Sequence, residues 1–412
     1  MKVGVWLNED VDTQVGGGFS YADTLMHLID NHEFSTEIEI VFLTTKSLIK
    51  SYKKEVVCLQ FDKQFKKENI KQKLNKFIFK NSYFLKRLYS QADRDLKRKR
   101  IYASYRKQLI INNIDIIYYL SQTQCVIEDF PFISTNWDIG HLSMYAFPEV
   151  SNKKAFNLRH SWYNETLKKA ISIFSESEAG KEELVSYLNI NPERIKVLPI
   201  FPGGVIHQKV SKEKQQDLLK SFKVEKEKFF FYPAQFWAHK NHYNLLLAFK
   251  RLILKEPHIK LVLTGSDKGN LDYIKNKIVQ LKLEEHVIYL GFMDLESIYT
   301  LYSNAVALIM PTFLGPTNMP LLEARTLGCP VLCSDFRGHR EQLEDGALYF
   351  NPLEAKTIFE KMDEILNSDF RQKLIEVSKN INNASKFNEN QVIKILERNL
   401  IDISKYRSCW NH

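Results

Sequence analysis

From its first residues onward the chain alternates between short apolar runs closed by Gly-, Pro- or Asn-rich turns and longer stretches whose apolar residues recur at helical spacing. MKVGVWL, EIEIVFLTT, VVCLQF, IDIIYYLSQTQ, FPFISTNWDIG and AISIFSES read as strands in the first half, and KFFFYP, IKLVLTGS, HVIYLGF and PVLC in the second. Strands that alternate with helices in this way predict an α/β fold, a parallel sheet covered by helices. The alternation is broken at Pro202-Gly203-Gly204, and at 412 residues the chain exceeds the ~250–300 residues at which single cores stop growing. Two domains are therefore expected, residues 1–202 and 203–387, followed by a helical tail over 388–412.

Charge is concentrated in one place. Residues 46–107 hold 20 Lys and Arg against 5 Asp and Glu, a local excess larger than the net +9 of the whole chain. Within the expected helical insertion at about 62–110, Leu74, Phe77, Ile78, Phe79, Phe84, Leu85, Leu88 and Tyr89 lie among the cations. That composition suits a helix on an anionic membrane surface, and equally a solvated hairpin packed on its own domain. Paired zinc ligands and strand-borne aromatic platforms are both missing, so no nucleic-acid partner is expected. No apolar run approaches the ~20 residues of a membrane span, and MKVGVWL, ended by Asn8, Glu9 and Asp10, reads as a strand and not as a signal peptide. The five cysteines show no C-x-x-C spacing, which fits a reducing cytoplasm; Cys329 and Cys333 read as small core residues.

Chemistry-bearing residues gather in a few loops. In residues 311–335, PTFLGPTNMPLLEARTLGCPVLCSD, a polar loop holding Gly315, Pro316, Thr317, Asn318 and Met319 enters a helix carrying Glu323, and a buried strand follows. A helix start with free amides attracts an anion such as phosphate, and a carboxylate one turn on can accept hydrogen bonds from a ribose diol. Loop punctuation followed by a dipole-friendly glutamate is the plainer account of the same residues. In Gln235-Phe-Trp-Ala-His-Lys240-Asn-His242 a lysine stands just ahead of a helix, where the dipole disfavours an idle cation and a bound diphosphate would favour it. Gly16, Gly17 and Gly18 precede the helix expected from Phe19, and Asp138 and His141 sit in a turn after an apolar strand.

These motifs, in this order, resemble the retaining GT-B glycosyltransferases of family four, most closely over residues 228–352. The resemblance implies two facing Rossmann-like domains, with nucleotide at the strand ends of the second and a last helix crossing back onto the first. It implies sugar transfer from a nucleoside diphosphate sugar, the donor and sole cofactor-like requirement, to a glycan or lipid-linked acceptor, with retention of configuration and without a metal. On it, Lys240, Asp138 and His141 are the catalytic candidates. Gly17, Gly18, Gln235, Gly265, Phe292, Met293, Pro316, Thr317, Asn318, Met319 and Glu323 are those for donor binding, and the Tyr289-Leu-Gly291-Phe292-Met293 turn borders the base. Two positions depart from the pattern. Gly315 stands where the family has its first signature glutamate, and Gln235 where it has an arginine. A GT-B scaffold that has lost catalysis, and a nucleotide-sugar epimerase, are the alternative readings; a peripheral location on the inner face of the plasma membrane would suit the basic segment.

Overall fold

The computed structural model describes residues 1–7, 16–46, 50–61, 83–122, 126–127 and 129–409, with residues 16–20 and 83–95 described by backbone. Its strands are β1 Lys2–Trp6, β2 Glu39–Thr44, β3 Val56–Cys58, β4 Ile116–Tyr119, β5 Phe132–Asn136, β6 Ser172–Ser175 and β7 Ile195–Val197, then β8 Phe229–Pro233, β9 Lys260–Thr264, β10 Val287–Tyr289, β11 Ala307–Met310, β12 Val331–Ser334 and β13 Leu348–Phe350. Among the described residues they form two sheets, ordered β3-β2-β1-β4-β5-β6-β7 and β10-β9-β8-β11-β12-β13. Adjacent strands are parallel in both.

The continuous apolar strands explain this. In β8 the run Phe229-Phe230-Phe231-Tyr232 is wholly buried, and in β11 so is Ala307-Leu308-Ile309-Met310. Strands buried on both faces suit a sheet sandwiched between helices. The helix His242–Leu252 shows the complementary pattern, burying Leu245, Leu246, Ala248, Phe249 and Leu252 along one face.

Each sheet changes direction of growth at one point, between β1 and β4 in the first and between β8 and β11 in the second. In open α/β sheets the crevice beyond the strand C-termini at such a point is where ligands bind. The Lys240 loop follows β8 and the Gly315–Asn318 loop follows β11, so both lie at the second sheet's switch point.

The last helix, Glu389–Arg407, starts at Asn388, whose side chain accepts from the Gln391 amide. It belongs to the first sheet's core, burying Val392, Ile393, Leu396, Leu400 and Ile403 beside Tyr21, Leu25 and Ile29. Burying five such side chains contributes roughly 8–15 kcal/mol gross, before the entropy of ordering the helix. At its end Arg407 pairs with Asp115 at 2.9 Å.

One local expectation differs from the structure, and another falls outside the described residues. The first helix begins at Gly16, so Gly17 and Gly18 lie inside its opening turn and not in the loop before it. The charged segment 208–227 contains the helix Lys212–Ser221, capped by Ser211, whose Oγ accepts from the Lys214 amide. The expected apolar membrane-facing side chains between 74 and 89 lie outside the described residues or side chains. The described part of that helix, Tyr83–Ile111, exposes Leu96, Arg98 and Lys99. Among the described residues no helix is long and apolar enough to cross a membrane.

Candidate functional site

Lys240 ends a one-turn helix, Ala238–Lys240, and its Nζ donates to Asn318 Oδ1 at 3.3 Å. Burial pushes the ammonium down to about 8, against the pull of Asp138 and Glu149 from the other sheet. Asn318 is held from behind. Its backbone N–H donates to Gln342 Oε1 at 3.0 Å, and its carbonyl accepts from Gln342 Nε2 at 3.1 Å. His339 Nδ1 lies 2.7 Å from the Ser334 carbonyl and therefore carries the hydrogen, which leaves Nε2 to accept from Asn318 Nδ2 at 2.9 Å. Burial keeps His339 neutral, its pKa lowered to about 4. One amide orientation satisfies this chain, and it turns the Asn318 oxygen toward Lys240.

The Asn318 amide is thus occupied by Gln342 and is not open to an anion, contrary to the reading that counted it among the phosphate-binding amides. The next donors along, the Met319 and Leu321 N–H groups, Pro320 having none, begin the helix Met319–Thr326, where first-turn amides lack an intrahelical partner. The Met319 side chain points elsewhere, into the first sheet's core cluster with Phe201 and Tyr21.

Glu323 sits one turn further on. Tyr302 Oη donates to its Oε2 at 2.9 Å. Burial raises its carboxyl to about 7, opposed by the Tyr302 hydroxyl and by the backbone of Gly203 in the segment between the sheets. Two expected donor-side glycines have backbone reasons. Gly265 has φ +134, and a Cβ there would stand 2.3 Å from the Ala234 carbonyl oxygen; its N–H donates to the Gly291 carbonyl at 2.8 Å, tying the turns after β8, β9 and β10 together. Gly315 has φ +106, a conformation that a glutamate would adopt only under strain. Pro316 is seated on Gly338, where a Cβ would lie 1.7 Å from the Pro316 carbonyl oxygen. Gln235 Nε2 reaches Ser266 Oγ at 3.4 Å, Phe292 is exposed, Met293 packs against the second core, and Thr317 is half-buried beside Asn318.

On the first sheet Asp138 and His141 are close in space but differently employed. Asp138 Oδ1 accepts from the Gly140 amide at 2.7 Å and from Arg159, while its carbonyl accepts from Tyr163 Oη. His141 is fully buried, its ring 4.9 Å from that of Tyr163 and 5.6 Å from that of Phe156, with neither nitrogen hydrogen-bonded to the described residues. Burial, with Arg159 adding to it, lowers its pKa to about 4, so the ring is neutral.

Sequence reasoning missed the residues that join the halves. Glu149 Oε1 accepts from both the His239 backbone N–H, at 2.9 Å, and His239 Nδ1, at 2.6 Å. Phe147 stacks on Phe313 at 5.3 Å between ring centroids, and a Cβ on Gly140 would meet Leu314 Cδ1 at 2.4 Å. On the opposite side Glu341 accepts from the Glu178 and Ala179 amides at 3.1 and 3.2 Å, and Arg337 pairs with Glu182. No spacing in the chain links Glu149 to His239.

Two parallel Rossmann-like sheets, a returning terminal helix and a cleft lined from both sides define the GT-B fold. HepE of Anabaena, solved with UDP and glucose, shares it: TM-score 0.68 over 97% of this chain and 99% of that one, at 16% identity. Residues 213–385, most of the second domain, match the family described as glycosyl transferases group 1. Among curated relatives, the O-antigen chain mannosyltransferase RfbU of Salmonella typhimurium is 27% identical over 192 residues, 47% of this chain and 50% of that protein. The O-antigen chain mannosyltransferase B of Escherichia coli is 23% identical over 229 residues, 55% of this chain and 60% of that one. The chain spans about half the length of the curated relatives it matches.

Proposed function

We propose that the protein transfers a glycosyl group from a nucleoside diphosphate sugar to a hydroxyl of a glycan or lipid-linked acceptor, with retention of configuration. The observation that carries this reading is the Lys240–Asn318 pair at the second sheet's switch point, a partly desolvated cation fixed beside the open end of a helix. The names of the O-antigen mannosyltransferases support a surface-polysaccharide acceptor, and the excess of cations over residues 46–107 supports an anionic membrane surface nearby.

In the proposed reaction the bond from the anomeric carbon to the diphosphate oxygen breaks while the sugar becomes oxocarbenium-like. The acceptor oxygen forms its bond on the same face, and its proton passes to the departing phosphate oxygen. Lys240 and the amides of Met319 and Leu321 hold the charge that develops on the leaving group, in a scheme that uses no metal. Glu323, ionised, accepts from the ribose hydroxyls. Asp138 and the buried, neutral His141 shape the first-domain side and supply no charged acid.

A thermal-shift screen against the common nucleoside diphosphates tests donor binding, since a ligand of the native state stabilises by RT ln(1 + [L]/Kd). Product formation from the matching nucleotide sugar, with the anomer assigned by NMR, tests transfer. Binding without turnover would leave a nucleotide-binding scaffold; no stabilisation by any nucleotide would remove the reading altogether.

A further inference from the structure

His239, in the Lys240 loop, touches both the other domain and the loop after β11. Its backbone N–H and Nδ1 both meet Glu149 Oε1, on the short helix Pro148–Ser151 of the other domain. Its carbonyl accepts from the Phe313 amide at 2.8 Å and from Thr312 Oγ1 at 3.4 Å. It is also the chain neighbour of Lys240, within a single helical turn. Both members of the pair are nearly closed off from solvent, with side chains 10% and 9% exposed.

A displacement of His239 therefore carries two things at once, the lysine and the loop that bears Asn318. Those are the two groups that meet at 3.3 Å, near the long limit of a hydrogen bond. The interaction with Glu149 is short and doubled, whereas the neighbouring cross-domain contact of Phe147 on Phe313 is apolar and tolerates sliding. Of the contacts on this side of the cleft, only the carboxylate fixes a direction.

We propose that Glu149 and His239 are a positioning pair, a latch closing the first domain onto the second and, in closing, setting Lys240 and the Asn318 loop at the distance the leaving group requires. The proposal rests on the transfer reading for its kinetic consequence but not for its structural one. Neither residue touches the reacting atoms; both act through Lys240. Gln at 149 retains an oxygen able to accept from both donors of His239, while Ala does not, so the latch and a mere space-filling role are separable.

Steady-state kinetics and small-angle scattering on Glu149→Ala, Glu149→Gln and His239→Ala in the full chain form the test. Glu149→Ala and His239→Ala should each lower kcat by about 10- to 100-fold, the loss expected for a misplacement of about 1 Å, with donor KM changed by less than about threefold. Glu149→Gln should recover most of the lost kcat. The ligand-free Glu149→Ala protein should scatter with a larger radius of gyration than the wild type, whose curve should match the closed coordinates. Glutamine no better than alanine, or unchanged turnover and unchanged scattering in the alanine variants, would overturn the latch. Should the wild type transfer no sugar, the scattering comparison still decides the latch, and the loss falls on the transfer reading alone.

Discussion

The two walls of the cleft handle their polar groups in opposite ways. On the first-domain wall Asp138 Oδ1 accepts from Arg159 and the Gly140 amide, and His141 is sunk among aromatic rings with neither nitrogen hydrogen-bonded to the described residues. On the second-domain wall Lys240 meets a single oriented oxygen, and every other hydrogen bond of Asn318 and His339 is spent on holding that oxygen in place. In the proposed reaction the cation that ends the second wall's network stabilises charge, and the first wall encloses it.

The sharpest way to break that contrast is Lys240→Ala. If the cation stabilises the leaving diphosphate, turnover falls by ~10² to 10³, about 2.7–4 kcal/mol, with the fold intact by circular dichroism. Unchanged turnover at saturating donor would move charge stabilisation elsewhere. A smaller effect is expected from Gly315→Glu, which introduces the glutamate that the family resemblance implies at this place. At φ +106 it should cost about 1–3 kcal/mol in unfolding free energy without improving donor affinity. A tighter-binding, equally stable variant would mean that the loop can carry a carboxylate after all.

The pH dependence sharpens the comparison further. The Lys240 charge is complete below about 8 and is lost as pH rises through that value; the Glu323 carboxylate is complete above about 7 and is lost as pH falls through it. In kcat/KM, which reports the free protein, a narrow bell between those limits is expected, whereas a flat profile from pH 6 to 9 would contradict both roles. Tyr302→Phe has the smallest effect. Removing the hydroxyl that holds Glu323 ionised should move the acid limb to higher pH and weaken nucleotide binding near neutrality by about 0.5–1.5 kcal/mol, measured by calorimetry.

The fold was largely legible. Apolar runs such as Phe229–Tyr232 and Ala307–Met310 have one way to be buried on both faces, and the Pro/Gly break at 202–204 falls between the two series of strands. Glu323 and Lys240 were legible as residue types beside helix starts. Three features were not. The start of the first helix at Gly16 defies glycine's low helix propensity. The occupation of the Asn318 amide depends on Gln342, 24 residues later, and the Glu149–His239 contact joins residues 90 apart on different sheets. Hydrophobic periodicity records what is buried, not which polar atoms meet once burial is complete.

The seat of the Gly315–Asn318 loop has a consequence for how such a protein diversifies. Pro316 rests main chain on main chain against Gly338, so close that no side chain fits between them. The floor of the loop is therefore independent of the identity of the residues it displays. Thr317 can be exchanged without moving the backbone beside Lys240, whereas Gly315, at φ +106, is tied to glycine by its own conformation. Any side chain at Gly338 would lift that backbone from its seat, so the place of the loop depends on a residue outside the loop itself.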